Sequence, residues 1–232
     1  MKLGLFTDPH YCYKEVGQGG RCPMASLGKI RDAMAYFRQE NCDLVICLGD
    51  LIDSDVSRQQ EIDNLLAVKE VIDGANLKTI VLMGNHDAQV FTEAEFYDIL
   101  GEDHRPEDFQ AEGKSFIFVD AGYLSSGERY SPGKVVWNDS FYPFPEELTQ
   151  RLEKASGEVH LFMHQIIVPG LSENHQIANM DAIRSIVTQS GKVRRVCMGH
   201  YHPGHSGTLD GVEYLIPKGM CLHENAWCIE NI

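Results

Sequence analysis

Five short apolar runs in this chain each end in residues able to hold a metal ion: Thr7-Asp8-Pro9-His10, Gly49-Asp50-Leu51-Ile52-Asp53, Gly84-Asn85-His86-Asp87, His164-Gln165 and Gly199-His200-Tyr201-His202. Imidazole and carboxylate donors without cysteine suit Mn, Fe, Zn or Co better than Ca or Mg. Donors this numerous exceed what one ion requires. Taken singly, Asp-Pro and Gly-Asp are ordinary turn pairs, and a histidine near a strand end is usually a hydrogen-bonded surface group. Five tails of one kind are a different matter, and they point to a metal-assisted reaction.

Residues spread over most of the chain can meet only if the elements before them run the same way. Leu3 to Phe6, Leu44 to Leu48 and Thr79 to Met83 read as strands. Between the first two, Ser26 is placed to cap a helix with apolar face Leu27, Ile30, Met34 and Phe37. Between the next two, Ser57 and Gln60 form a capping-box pattern before Ile62, Leu65, Leu66 and Ile72, closed by Gly74. Strand, helix, strand, helix, strand implies parallel pairing with right-handed crossovers. Further strands are expected at Ser115 to Val119, Val159 to Met163 and Val193 to Met198. Helices are expected at Pro145 to Ala155 and Asn179 to Thr188, and the Asp210-Gly211 pair marks a hairpin. Ligands of an open α/β sheet bind beyond the carboxyl ends of the strands, which would draw the five tails into one crevice. Alternation along extended chain would aim Asp8 with His10, and His200 with His202, at a common centre.

The length of 232 residues fits a single domain, 1–232, with residues 101–145 as a lid or insertion because that stretch changes from regular patterning to charged, glycine-rich and aromatic sequence. A carboxylate at position 8 comes too early for a signal peptide, and no apolar stretch reaches membrane-spanning length. A soluble cytoplasmic protein that makes no membrane contact is the expectation. The net charge of -14, with no basic run longer than Arg194-Arg195, argues against long nucleic acid. Seven cysteines with no Cys-x-x-Cys pair suit reduced thiols, with Cys42, Cys47 and Cys197 in or beside strand-like runs. Cys12 and Cys22 could pair if the fold brought them together, but free thiols are expected.

These motifs, in this order from Asp8 to His202, resemble the calcineurin-like metallophosphoesterase superfamily, nearest the class III cyclic-nucleotide and glycerophosphodiester phosphodiesterases. The resemblance implies a four-layer α/β/β/α sandwich of two mixed β-sheets and a cofactor of two divalent ions. Asp8, His10, Asp50 and His202 would hold one ion, and Asp50, Asn85, His164 and His200 the other. It implies a small phosphorylated substrate and hydrolysis of a phosphodiester, from a cyclic or small nucleotide or a glycerophosphodiester, by attack of metal-bound hydroxide. His86 would protonate the leaving oxygen or steady the transition state, with Asp87 or another acid orienting it. Asp53 reads as a support for a ligand histidine or a backbone N–H, and Asp53 or Asp87 could instead simply cap a turn.

Gln165 stands where many class III enzymes carry a second histidine, so it is a substrate-binding candidate that leaves the substrate class open. Nucleotide pyrophosphatase and phosphomonoesterase activity remain alternatives on the same site. A repair-type DNA nuclease would need a basic groove. A non-catalytic scaffold of the retromer type would show decayed histidine motifs. The loop with Gly17, Gly19, Gly20 and Arg21 could meet a second phosphate or a sugar, with Arg21 as substrate contact, or could simply be flexible. Trp137, Phe141, Tyr142 and Phe144 could stack on a nucleobase or cover a sheet edge. His160 and His223 read as packed or hydrogen-bonded, and His104 and His205 receive no role.

Overall fold

The computed structural model describes residues 1–54, 56–134 and 141–232; Trp137 lies outside them. In chain order the elements are β1 (Lys2–Phe6), α1 (Pro23–Gln39), β2 (Leu44–Cys47), α2 (Arg58–Gly74), β3 (Thr79–Val81), α3 (Asn85–Val90), α4 (Glu93–Leu100), β4 (Phe109–Ala111) and β5 (Lys114–Phe118). They continue with α5 (Pro145–Lys154), β6 (Val159–Phe162), α6 (Met180–Gln189), β7 (Val193–Cys197), β8 (His205–Leu209), β9 (Val212–Ile216) and β10 (Trp227–Asn231).

The strands make two mixed sheets, one ordered β10-β1-β2-β3 and the other β4-β5-β6-β7-β9-β8. β1, β2 and β3 are parallel, as are β5, β6, β7 and β9. β10 closes the first sheet antiparallel to β1, pairing Leu3 with Glu230. Leu3, Leu5, Ile46, Leu48, Phe116 and Phe162 form a layer of buried side chains from both sheets. Ile30, Phe37, Leu65, Val68 and Phe96 pack the helices α1, α2 and α4 against the first sheet. Leu148, Leu152, Ile183 and Val187 pack α5 and α6 against the second. This is the expected four-layer sandwich. Each fully buried Leu, Ile or Phe contributes roughly 1.5–3 kcal/mol, so these three layers carry most of the stabilisation.

Local detail follows from residue type, with one correction. The capping box of α2 is present, with Ser57 accepting from the Gln60 backbone N–H and Gln60 accepting from that of Ser57. Ser26, expected as a cap, is buried inside α1, which begins three residues earlier with Pro23 in its first turn and Cys22 as the cap position. Proline fits there because its missing N–H would have no helical partner anyway. The Asp210-Gly211 turn joins β8 to β9 with both residues left-handed, at φ 52° and 82°, matching the twist of the paired strands. Within residues 101–145, the stretch expected as a lid or insertion, β4 and β5 are strands of the second sheet. The chain beyond β5 buries Ala121, Leu124, Tyr130 and Phe141 in the core. Among the described residues no helix is long and apolar enough to cross a membrane.

Candidate metal centre

All five polar tails leave the carboxyl ends of parallel strands on the same side of the molecule. Asp8 and His10 follow β1, Asp50 follows β2, and Asn85 and His86 open α3 after β3. His164 follows β6, while His200 and His202 follow β7. The tails after β1 and β2 stay tied to each other, since Asp8 N donates to Gly49 O at 3.1 Å and His10 N to Asp50 O at 2.9 Å. The expected aim through extended chain needs correcting. Asp8, His10, Asp50 and His200 all adopt left-handed backbone, at φ 52°, 48°, 55° and 64°. Each such non-glycine residue costs on the order of 1–3 kcal/mol and persists only where its surroundings over-determine it. Because His200 turns in this way, it and His202 serve different groups of neighbours.

Asp50 occupies the middle. Its Oδ2 lies 3.5 Å from His10 Nε2 and 3.2 Å from His164 Nε2, while its Oδ1 accepts from the backbone N–H of His86 at 2.8 Å. On one side, His10 Nε2 is 3.1 Å from His202 Nε2 and 3.7 Å from Asp8 Oδ1, and His202 Nε2 is 3.4 Å from the same Asp8 oxygen. On the other, His164 Nε2 is 3.1 Å from Asn85 Oδ1, and the His164 and His200 rings are 4.9 Å apart. Asp8 sits between the two groups, since it also clusters with Asp50, His164 and His200.

Two glycines make this crowding feasible. A Cβ on Gly84 would lie 2.1 Å from Asp50 Oδ1, and one on Gly49, whose φ is 108°, would lie 2.5 Å from His164 Nδ1.

Among the described residues, Asp8 Oδ1, Asp50 Oδ2, Asn85 Nδ2 and His200 Nε2 are buried without a hydrogen-bond partner. Buried polar atoms are normally paired, so the orphaned Asp8 and Asp50 oxygens and His200 Nε2, each with a lone pair to give, fit a bound cation, whereas Asn85 would ligate through Oδ1 and its N–H2 is a donor. The electrostatics agree. Burial opposes charge on His10 and His164, yet Asp53, Asp8 and Asp50 around the first, and Asp50 and Asp8 around the second, lift both to about 9. Burial likewise opposes charge on Asp8 and Asp50, but the surrounding histidines hold both well below the usual carboxylate range. The acidic centre draws positive charge towards itself.

Asp53 Oδ1 is 3.1 Å from His10 Nδ1 and 2.9 Å from Arg21 Nη1, so it backs the ring of His10. Asp87 does not orient His86. Its carboxylate accepts from the backbone N–H groups of Gly84, Leu51 and Ile52 at 2.9, 3.3 and 3.1 Å, clamping two tails together. Burial, then the nearby Asp50, push Asp87 up to about 7. His86 is held through Nδ1 by Asp53 O at 2.6 Å, and its ring meets that of His10 edge-on at 4.5 Å.

A cleft of about 510 Å3 opens over the cluster, walled by Gln18, Gly19 and Arg21 on one side and by Asn174 and His175 on another. Arg21 is therefore beside the cleft, while Gln165 is buried in a separate, smaller cavity with Tyr97 and Arg129. Of the four aromatics that could form a platform, the described ones, Phe141, Tyr142 and Phe144, are not in the cleft wall. Phe141 is buried against Tyr130, and Phe144 packs on Tyr123.

Three neighbours of the site carry no motif in the sequence. Cys221 Sγ lies 3.7 Å from His202 Nδ1, the His175 ring is 4.8 Å from that of His200, and Ser54 Oγ is 2.9 Å from His86 Nδ1. All seven cysteines are free, Cys12 and Cys22 included. His160 is buried and stacked on Phe116, without the hydrogen bond that was one of its two expected states. His104 bonds Thr79 O and Asp73.

The sequence model of the calcineurin-like phosphoesterases matches residues 1–204. This chain belongs to that family. As a family member it is a metal-dependent phosphoester hydrolase, and the orphaned donors lie where such chemistry needs them. No curated protein matches the chain. Among solved structures, a dimetal phosphatase of Danio rerio superposes with a TM-score of 0.81 at 20% identity, covering 99% of this chain and 91% of its own. Phosphopantetheinyl hydrolase of Mycobacterium tuberculosis gives 0.56 at 14%, covering 93% and 88%. A purple acid phosphatase of yellow lupin seeds gives 0.59 at 12%, covering 95% of this chain and 44% of its own. At these identities the likeness is one of fold.

Proposed function

We propose that this phosphoesterase hydrolyses a phosphodiester, of a cyclic or small nucleotide or a glycerophosphodiester, with two divalent ions drawn from Mn, Fe, Zn and Co. Asp8, His10, Asp50 and His202 would hold one ion and Asp50, Asn85, His164 and His200 the other. The observation that carries this is the orphaned Oδ2 of Asp50, within 3.5 Å of one imidazole nitrogen from each group. When bound, such a pair polarises the phosphoryl oxygens and lowers the pKa of a bound water towards about 7.

The chain's own groups do the rest. Asp50 fixes the spacing of the two groups, and Asp53 holds the ring of His10. His86, with Nδ1 engaged by Asp53 O, has Nε2 free to serve the cleft and to protonate the leaving oxygen. The guanidinium of Arg21 lies at the cleft wall, where a non-reacting phosphoryl oxygen or sugar hydroxyl of the substrate would meet it.

The cleft, at about 510 Å3, has room for a substituent on each side of a phosphate, as a diester or a pyrophosphate requires. Nucleotide pyrophosphatase activity is the second reading on the same ground. The test is hydrolysis of bis(4-nitrophenyl) phosphate, 4-nitrophenyl phosphate and a dinucleoside pyrophosphate with added Mn, together with metal analysis. Two ions per chain and fastest turnover of the bis-ester are expected. Fastest turnover of the monoester would sink the diester assignment, and less than one ion per chain after Mn loading would support a non-catalytic scaffold instead.

A further inference from the structure

His86 Nδ1 lies closer to two neutral oxygens than to the neighbouring Asp53 carboxylate. Asp53 Oδ1 lies 3.8 Å from His86 Nδ1, beyond hydrogen-bond distance and farther than its 3.1 and 2.9 Å to His10 Nδ1 and Arg21 Nη1. Nδ1 of His86 instead meets two neutral oxygens, the backbone carbonyl of Asp53 at 2.6 Å and Oγ of Ser54 at 2.9 Å. A carbonyl oxygen only accepts, so Nδ1 must carry the hydrogen.

From there the hydrogen bonds run along the cleft wall, which Ser54 and Gln89 also line, and then inward to Tyr130. The Ser54 hydroxyl donates to Gln89 Oε1 at 2.9 Å, and Gln89 Nε2 donates to the hydroxyl oxygen of Tyr130 at 3.2 Å. The Ser54 hydroxyl has one hydrogen; accepting from His86 Nδ1–H, it gives that hydrogen to Gln89 Oε1, which leaves the Gln89 amide N–H2 to face Tyr130. Ser54 accepts strain to take its place, with a left-handed φ of 59°. Tyr130 is 1% exposed and packs on Phe141 at 5.2 Å, whose ring in turn faces His200 at 6.0 Å. The chain of bonds thus begins at the cleft and ends in the buried loop that follows β5.

We propose that Ser54, Gln89 and Tyr130 are positioning residues for His86, fixing the angle of its ring so that Nε2 faces the cleft and tying that angle to the loop after β5. The Asp53 carbonyl alone would allow the ring to swing about a single bond; the second contact to the same Nδ1, from the Ser54 hydroxyl, narrows that freedom. This rests on the reading of His86 as the group that serves the leaving oxygen. A structural tie between the loop after β2, α3 and the loop after β5 would show the same distances, so the test must separate positioning from mere anchoring.

The experiment uses the full chain with 15N-labelled histidine, metal-free and Zn-loaded, and the variants Ser54→Ala, Gln89→Met, Gln89→Glu, Tyr130→Phe and His86→Ala, singly and in pairs with His86→Ala. Wild type is expected to show a sharp His86 Nδ1–H resonance, assigned by its loss in His86→Ala. Gln89→Met and Ser54→Ala should broaden it, whereas Gln89→Glu, which still accepts from Ser54 and can accept from Tyr130, should restore it.

In turnover of the bis-ester with Mn, Gln89→Met should lower kcat about tenfold, a fraction of the 10²- to 10⁴-fold supplied by a positioned acid, with KM and bound metal unchanged. The loss should be larger for an alkyl leaving group than for nitrophenolate. On a His86→Ala background, Gln89→Met should cost nothing further, because residues that act through one group are not additive. Full additivity on that background, or an unaltered His86 resonance in Gln89→Met, would overturn the proposal. If the wild-type chain hydrolysed none of the phosphoesters, the proposed function would fail by itself, and the resonance would still decide whether the chain of bonds holds the ring.

Discussion

His10 and His202, 192 positions apart in sequence, bring their Nε2 atoms within 3.1 Å of each other. Two imidazole nitrogens at that distance either share one hydrogen or direct both lone pairs at a common cation. With Asp8 and Asp50 oxygens beside them, the cation is the stronger reading. His202→Ala should then reduce bound Mn from two ions to about one per chain, with kcat down at least ~100-fold on loss of one half of the clamp. Retention of two ions with full affinity would contradict the ligand set.

Asp50→Ala should be the most damaging single change, because it removes the oxygen near both groups and the neighbour that, against burial, does most to favour charge on His164. A fall of about 10³-fold or more in kcat/KM is expected, of the order seen when a central electrostatic group is deleted. Unchanged turnover would show that the reaction uses another centre.

Gly84→Ala tests the crowding directly. The backbone at Gly84 is extended, at φ -90°, so the conformation suits alanine; the obstacle is Asp50, whose Oδ1 and backbone N lie 2.1 and 2.3 Å from the added Cβ. Overpacking of this kind costs about 1–3 kcal/mol. Thermal unfolding should show the lowered Tm, and metal titration a weakened affinity, since the atom displaced belongs to Asp50. A wild-type affinity would mean that the loop yields without moving the carboxylate.

Much of this arrangement was legible before any coordinates. The tails from Asp8 to His202 could be read because a metal ligand set must recur at strand ends, and strand ends are marked by apolar runs. The parallel order of β1, β2 and β3 followed from the helices between them. What stayed hidden depends on contacts that no local pattern encodes. Cys221 and His175 reach the site from loops without periodicity. β10 joins the first sheet from the far end of the sequence. Asp87 looked like a partner for the adjacent His86, yet its oxygens turn to three backbone N–H groups that only the folded loops present.

Removing bound ions should also loosen the fold. A ligand that binds only the native state at 100 times its Kd adds about 2.7 kcal/mol, which in a domain of this size corresponds to a Tm change of roughly 5–11 °C. Tm measured with Mn and after dialysis against chelator should differ by that order. Identical values would mean that the cluster holds no ion at those concentrations.

His160 gives a pH effect remote from the cleft. Burial, then the neighbouring Arg195, push it down to about 4, and both its ring nitrogens are buried without partners. In the unfolded chain its pKa is near 6.5. Above that value it is neutral in both states and contributes no pH dependence. As pH falls from about 6.5 to about 4 the unfolded chain takes up the proton first, so stability drops across that window. His160→Phe, which keeps the stack on Phe116, should remove this loss. The stability difference between variant and wild type should grow by about 1–3 kcal/mol from pH 7 to pH 4.5. A difference independent of pH would show that His160 does not titrate as described.

Each group of donors draws on both halves of the sandwich: Asp8, His10, Asp50 and Asn85 come from the sheet of β1, β2 and β3, while His164, His200 and His202 come from the sheet of β6 and β7. Ions held there would act as rivets across the seam, and the free energy of holding them would be shared with the adhesion of one sheet to the other. Slippage along the buried seam at Leu5, Ile46 and Phe162 would then be registered as weakened affinity for metal well before the protein melts. In such a molecule the supply of metal in its surroundings enters the folding equilibrium, and the temperature at which it stops working is set partly by what is dissolved around it.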